Sequence, residues 1–167
     1  MNSINYFNNL HDNVCNQKYD GLPYSFHLDA VRAQYQKYQH LITKEYYDVS
    51  VAIDGHDSIE DARLTYNDIK EMFGVVVAEI IYLCTENRGR TRDERKSVIW
   101  YGELNQNKSA VFVKLCDILA NVKYSLLMNS SMFKKYNSEY LTKVKPILYF
   151  EPYKPMFDEL DKLFEVA

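Results

Sequence analysis

The ten residues IDGHDSIEDA, positions 53 to 62, bring together His56, Asp57, Glu60 and Asp61 in a stretch that otherwise reads as buried helix. Neighbouring side chains on a helix diverge by about 100°, so one cation touches both His56 and Asp57 only from the sector between them. Such a cation needs further ligands from other helices. His27, at the start of an earlier helix, and Asp117, inside a later apolar helix, are the leading candidates, because a carboxylate at a core position is costly unless paired or metal-bound. Two imidazoles and two carboxylates without a thiolate suit Mn²⁺ or Fe²⁺, with Zn²⁺ also allowed. A divalent cation lowers the pKa of water and neutralises phosphate charge, which points to hydrolysis of a phosphoester or phosphoanhydride. Glu60, three residues beyond Asp57, is placed to orient or deprotonate the attacking water. The competing reading leaves Asp117 paired with an arginine, His27 as a satisfied core histidine, and Glu60 and Asp61 solvating a helix end.

The elements that must position these residues are helical. Apolar spacing by threes and fours dominates, glycines number 5 and prolines 4, and no run of alternating strands is separated by Asn-Gly or Asp-Gly turns. The expected fold class is all-α. The spacing predicts a helix over 26–42 after the turn signal DGLPYS, and a buried helix over 45–61 whose C-terminal half turns polar. A short helix begins at Thr65, where Thr65 and Asp68 have capping-box spacing, and ends at Gly74; VVVAEIIYLCTE follows. Thr91 and Glu94 repeat the capping-box spacing inside the arginine-rich connection 86–96. The longest helix is predicted over 108–128, with two more over 133–150 and 155–165 separated by EPYKP.

Composition narrows the function. The chain of 167 residues is expected to form one domain over 1–167. Lys plus Arg number 20 against 23 Asp plus Glu, a balance without the basic footprint of a long nucleic acid or a membrane surface. Any bound nucleotide is expected to be small. Cys15, Cys84 and Cys116 have no CxxC spacing and read as reduced thiols, and neither a signal peptide nor a roughly 20-residue apolar span is present. A soluble cytoplasmic protein is expected. The fifteen tyrosines read as helix-surface rings with hydroxyls in water.

An ordered set of motifs resembles the HD-domain phosphohydrolases, and more narrowly the hydrolase domain of RelA/SpoT-type alarmone enzymes and their small stand-alone relatives. GLPYSFHLDAV is similar to that family's G-x-PY-x-x-H-P segment, HDSIEDA to HD-x-x-ED-T, and KLCDILANVK to KLADRLHN. FGVVVAEIIYLCTENR and RDERK resemble the stretches between them, so the resemblance spans roughly residues 10 to 127. It implies an HD-domain helical bundle with Mn²⁺ held by His27, His56, Asp57 and Asp117. It further implies that Glu60 and Asp61 position and activate the water that removes pyrophosphate from the 3′ position of (p)ppGpp, giving GDP or GTP. Lys18, Arg88, Asn121 and Tyr140 stand at or near the family's substrate-contacting positions, with Arg88 in place of a lysine. Departures are Leu28 for a proline, Ala62 for a threonine and Asp54 for an apolar residue, none of which removes a ligand. Arg90, Arg92, Arg95 and Lys96 read either as phosphate-gathering groups or as a solvated loop and first turn. The chain length is expected to leave no room for a synthetase domain. The alternatives are the same site acting on a deoxynucleotide, NADPH or another signalling nucleotide, and a decayed nucleotide- or partner-binding module.

Overall fold

Most of the predicted helices form, and their ends lie where the capping residues stand. In the computed structural model, which describes residues 2–165, Asn2 accepts from the Asn5 amide to start α1 (Ser3–Asn9), and a π-turn over Leu10–Val14 follows. The next segment corrects the expectation that strand hairpins are absent. β1 (Lys18–Tyr19) pairs antiparallel with β2 (Leu22–Pro23), with Tyr19 opposite Leu22. Asp20 and Gly21 between them have φ of 49° and 84°, the doubly left-handed turn that matches strand twist. Two residues per strand are too few to show alternation in the sequence.

α2 (Ser25–Tyr38) buries His27, Leu28, Val31 and Tyr38, and a 3₁₀ turn over Gln39–Leu41 replaces the last turn of the predicted helix. The helix predicted over 45–61 is broken into α3 (Tyr46–Gly55) and α4 (Ser58–Asp61), with Asp57 at φ −97° and ψ 3°. Gly55 ends α3 against the Phe7 ring, whose Cε atoms would lie 2.7 and 2.8 Å from any added Cβ. Both expected capping boxes are present. Thr65 and Asp68 start α5 (Tyr66–Phe73), which Gly74 ends at φ 94° before α6 (Val75–Cys84). Thr91 and Glu94 start α7 (Arg92–Arg95), and Ser97 caps α8 (Val98–Leu104).

Asn107 caps α9 (Lys108–Leu127), in which every residue from Ala110 to Ala120 is buried. This helix is enclosed on all sides, packed by α2, α3, α6, α8, α10 (Met132–Glu139) and the C-terminal helix α12 (Lys154–Glu165). A π-turn over Tyr140–Val144, α11 (Lys145–Leu148) and a 3₁₀ turn over Glu151–Tyr153 connect the last two. The consequence for chemistry is that Lys114 and Asp117 carry charge into the middle of the core. No helix among the described residues is long and apolar enough to cross a membrane, and the three cysteines are free thiols.

One carboxylate of α12 fastens it to both α2 and α9. Glu159 receives Lys37 of α2 at 2.8 Å, Lys123 of α9 at 2.9 Å and the Tyr38 hydroxyl. Partial burial alone would raise its pKa, but these donors bring it down to about 2. A carboxyl depressed on folding adds stability above its unfolded pKa of about 4.5 and loses it as pH falls towards 2. Replacing Glu159 by Gln is expected to cost about 1–2 kcal/mol at neutral pH, allowing for solvent screening, and almost nothing near pH 2. Urea unfolding of both proteins across that range checks it; a gap that stays constant with pH would refute the ionic origin.

Candidate metal centre

The break between α3 and α4 makes the site. His56 donates its Nδ1–H to the Ile53 carbonyl, 3.0 Å away, which turns Nε2 towards the cluster. The chain then turns, bringing the Asp57 carboxylate back so that its Oδ2 lies 3.0 Å from His56 Nε2. The expected 100° divergence is therefore corrected: outside a continuous helix the two side chains converge. His27, from the first turn of α2, places Nε2 3.3 Å from His56 Nε2 and 3.4 Å from Asp57 Oδ2. His27, His56 and Asp57 each offer a ligand atom within 4.8 Å of the other two. Asp117 of α9 adds Oδ1 at 3.3 Å from His27 Nε2 and 3.8 Å from His56 Nε2.

This donor set fits one divalent cation. Ligand atoms bonded at about 2.1 Å to a shared ion stand about 3 Å apart, close to the spacing among His27, His56 and Asp57, with Asp117 standing farther from His56, and nitrogen and oxygen donors without sulfur suit a first-row metal. Burial alone would lower the pKa of His27, yet Asp117 and Asp57 raise it to about 9. Against the same burial, His56 and His27 hold Asp57 well below the usual carboxylate range, and Lys114 with His27 does so for Asp117. Both carboxylates are ionised at neutral pH.

Each ligand has a partner behind it. The Tyr24 hydroxyl lies 2.6 Å from Asp57 Oδ2 and 3.0 Å from Asp61 Oδ2, and its ring stacks on the buried imidazole of His11. Asp117 Oδ1 accepts from Asn121 Nδ2, and Asn121 Oδ1 accepts from the Tyr19 hydroxyl at 2.8 Å. Asp117 Oδ2 meets Lys114 Nζ at 2.9 Å. Lys114 is only 3 % exposed, and its ammonium lies 5.5 Å from the centre of the Trp100 ring, whose indole N–H donates to the Thr85 carbonyl.

Glu60 and Asp61 flank this cluster without joining it. Glu60 is exposed at the rim, where its carboxylate accepts from the Glu86 backbone N–H. Its pKa is nevertheless raised to about 7, first by loss of water around the carboxyl and then by Asp57 and Glu86, against the pull of Lys114. Asp61 is raised too, by burial and Asp57, with Tyr24 and Gln17 opposing.

The other expected residues divide. Lys18 in β1 and Arg88 in the loop before α7 are exposed and form no ion pair with another described residue. Asn121 engages both ends of its amide within the protein. Tyr140 is a correction: it is 1 % exposed, its hydroxyl donates to Asp161 at 2.8 Å, and its ring packs on Phe164, so it is core and not a nucleoside contact. Most of the arginine-rich segment is also committed. Arg92 pairs with Glu139, Arg95 with Glu86, and Lys96 with both, which leaves Arg90 exposed beside Arg88. Asp54 is buried against Arg32 at 2.8 Å and accepts from Ser3 at 2.6 Å, joining α1, α2 and α3. Tyr19, Tyr24 and Lys114 were not singled out from the sequence. Lys114 carried a usable signal, since it stands one turn before Asp117 in a helix that is otherwise apolar.

No family model matches the chain. It is 28% identical over 125 residues to guanosine-3′,5′-bis(diphosphate) 3′-pyrophosphohydrolase MESH1 of Danio rerio, an alignment covering 74% of this chain and 67% of that protein. Its fold is similar to a solved structure of a metazoan orthologue of SpoT that hydrolyses ppGpp and plays a role in starvation responses. The TM-score is 0.76 at 21% identity, over 98% of this chain and 92% of the other. The chain therefore shares that helical fold.

Proposed function

From the shared fold and the convergence of His27, His56, Asp57 and Asp117, we propose that residues 1–167 form one metal-dependent hydrolase domain that removes pyrophosphate from the 3′ position of (p)ppGpp. The observation that carries this reading is the meeting of four donor side chains beside a carboxyl, Glu60, that belongs to none of the ion-pair networks around it. The four would hold Mn²⁺, which when bound lowers the pKa of water and neutralises phosphate charge.

Every other step falls to the chain itself. Glu60, with a pKa of about 7, is ionised in useful amount at neutral pH and still basic enough to take a proton from water. The water oxygen bonds to the phosphorus attached to O3′, and Glu60 takes the proton that water sheds. The P–O3′ bond breaks and O3′ takes a proton from solvent, to which Glu60 returns the one it accepted, leaving pyrophosphate and a free 3′-hydroxyl on GDP or GTP. Asp61, hydrogen-bonded to Tyr24 beside Asp57, orients the same water. Arg88 and Lys18, exposed and unpaired among the described residues, supply cations for the substrate phosphates. Asn121 acts on Asp117 more directly than on the substrate. Free thiols and the lack of a spanning helix among the described residues support a cytoplasmic setting.

The test is product analysis after incubating Mn²⁺-loaded protein with ppGpp, beside a His56→Ala/Asp57→Ala double variant. Pyrophosphate and GDP are expected from the parent alone. Intact ppGpp with metal still bound to the parent would reject the substrate and turn the search to other nucleotides.

A further inference from the structure

Tyr19 touches the cluster twice. Its ring stacks on the His27 imidazole with centroids 4.7 Å apart and planes 15° apart, and its hydroxyl donates to Asn121, which donates to Asp117. His27 and Asp117 come from different helices, α2 and α9, so one side chain in the hairpin spans two ligands.

The hydrogen bonds along this path have a fixed direction. Ionised Asp117 only accepts, so Asn121 must turn its NH₂ towards Asp117 and its carbonyl oxygen towards Tyr19, where only a donor satisfies it. Removing the Tyr19 hydroxyl takes away what holds the amide in that orientation. The hairpin is itself fastened to α9: the left-handed Asp20 in its turn accepts from the Tyr124 hydroxyl at 2.8 Å, and the Tyr19 ring meets the Tyr124 ring edge-on at 5.0 Å.

We propose that Tyr19 is a positioning residue for the metal, orienting His27 through its ring and Asp117 through Asn121, so that the 18–23 hairpin sets how tightly the cation is held. This rests on the metal reading of the four-residue cluster. Groups that orient metal ligands typically change affinity by 10–100-fold when removed. A Tyr19→Phe protein, which keeps the ring and loses only the hydroxyl, is expected to bind Mn²⁺ about tenfold more weakly by calorimetric titration. Its Co²⁺-loaded form should show a shifted ligand-field absorption band. In an Asn121→Ala background the same change should add almost nothing, because the path is already cut. Parental affinity and an unaltered Co²⁺ band in Tyr19→Phe overturn the inference, as does a tenfold loss that persists undiminished in the Asn121→Ala background. A parent that binds neither ion removes the metal reading, and this inference with it.

Discussion

A Glu60→Gln protein is expected to hydrolyse ppGpp about 10²- to 10⁴-fold more slowly than the parent while binding Mn²⁺ as tightly, the usual range for loss of a general base. Glutamine keeps a carbonyl oxygen for the Glu86 N–H, so α4 stays attached to the loop it holds. What is lost is basicity. The Glu60 carboxyl stands at about 7 without a metal and a neighbouring divalent charge lowers it, so parental kcat/KM should climb with pH through an inflection below that value and level off above the inflection, where the base is fully ionised. The variant should lack this limb. Retained activity with an unchanged pH profile would move water activation away from Glu60.

Lys114→Met is expected to lower stability by about 3–5 kcal/mol, the range for leaving a buried charge without its partner. The ammonium faces Asp117 at 2.9 Å and is further favoured by the Glu60, Asp57 and Glu86 carboxylates, all against its own burial. Methionine fills a comparable volume but leaves Asp117 with one acceptor oxygen uncompensated in the core. Lys114 also pulls Glu60 downward, together with the Glu86 backbone N–H, so the inflection of the pH profile should move above its parental position. Urea unfolding with an unchanged m-value measures the first effect. A loss below about 1 kcal/mol would show that Lys114 is not what balances this acidic cleft.

What was legible in the sequence was local. The capping boxes at Thr65–Asp68 and Thr91–Glu94 and the helix stop at Gly74 depend on residues three or four apart, and they form as read. The four expected ligands come together although they lie on α2, the α3–α4 break and α9, because a histidine and carboxylates at apolar positions are hard to place otherwise. The break itself was hidden, since nothing within 45–61 announces that Phe7, some fifty positions earlier in the chain, packs against Gly55. The hairpin was hidden by its brevity. Tyr140 misled because an aromatic at that point in the chain suits a nucleoside and a core equally, and only the packing of α10 and α12 decides between them. The arginine-rich segment looked free because one acidic partner, Glu86, is at its own first position and the other, Glu139, comes from α10 far along the chain.

The sequence contains a single tryptophan. Trp100 is shielded from water, tethered through its indole N–H to the chain at Thr85, and covered on one face by the ammonium of Lys114. Emission excited at wavelengths that tyrosine does not absorb therefore originates at one spot, a few ångströms from the charge that neutralises the acidic cleft. A change in the position of that ammonium alters the field on the indole, so filling or emptying the cleft can be followed in real time by intrinsic fluorescence, without a dye or a radioactive nucleotide.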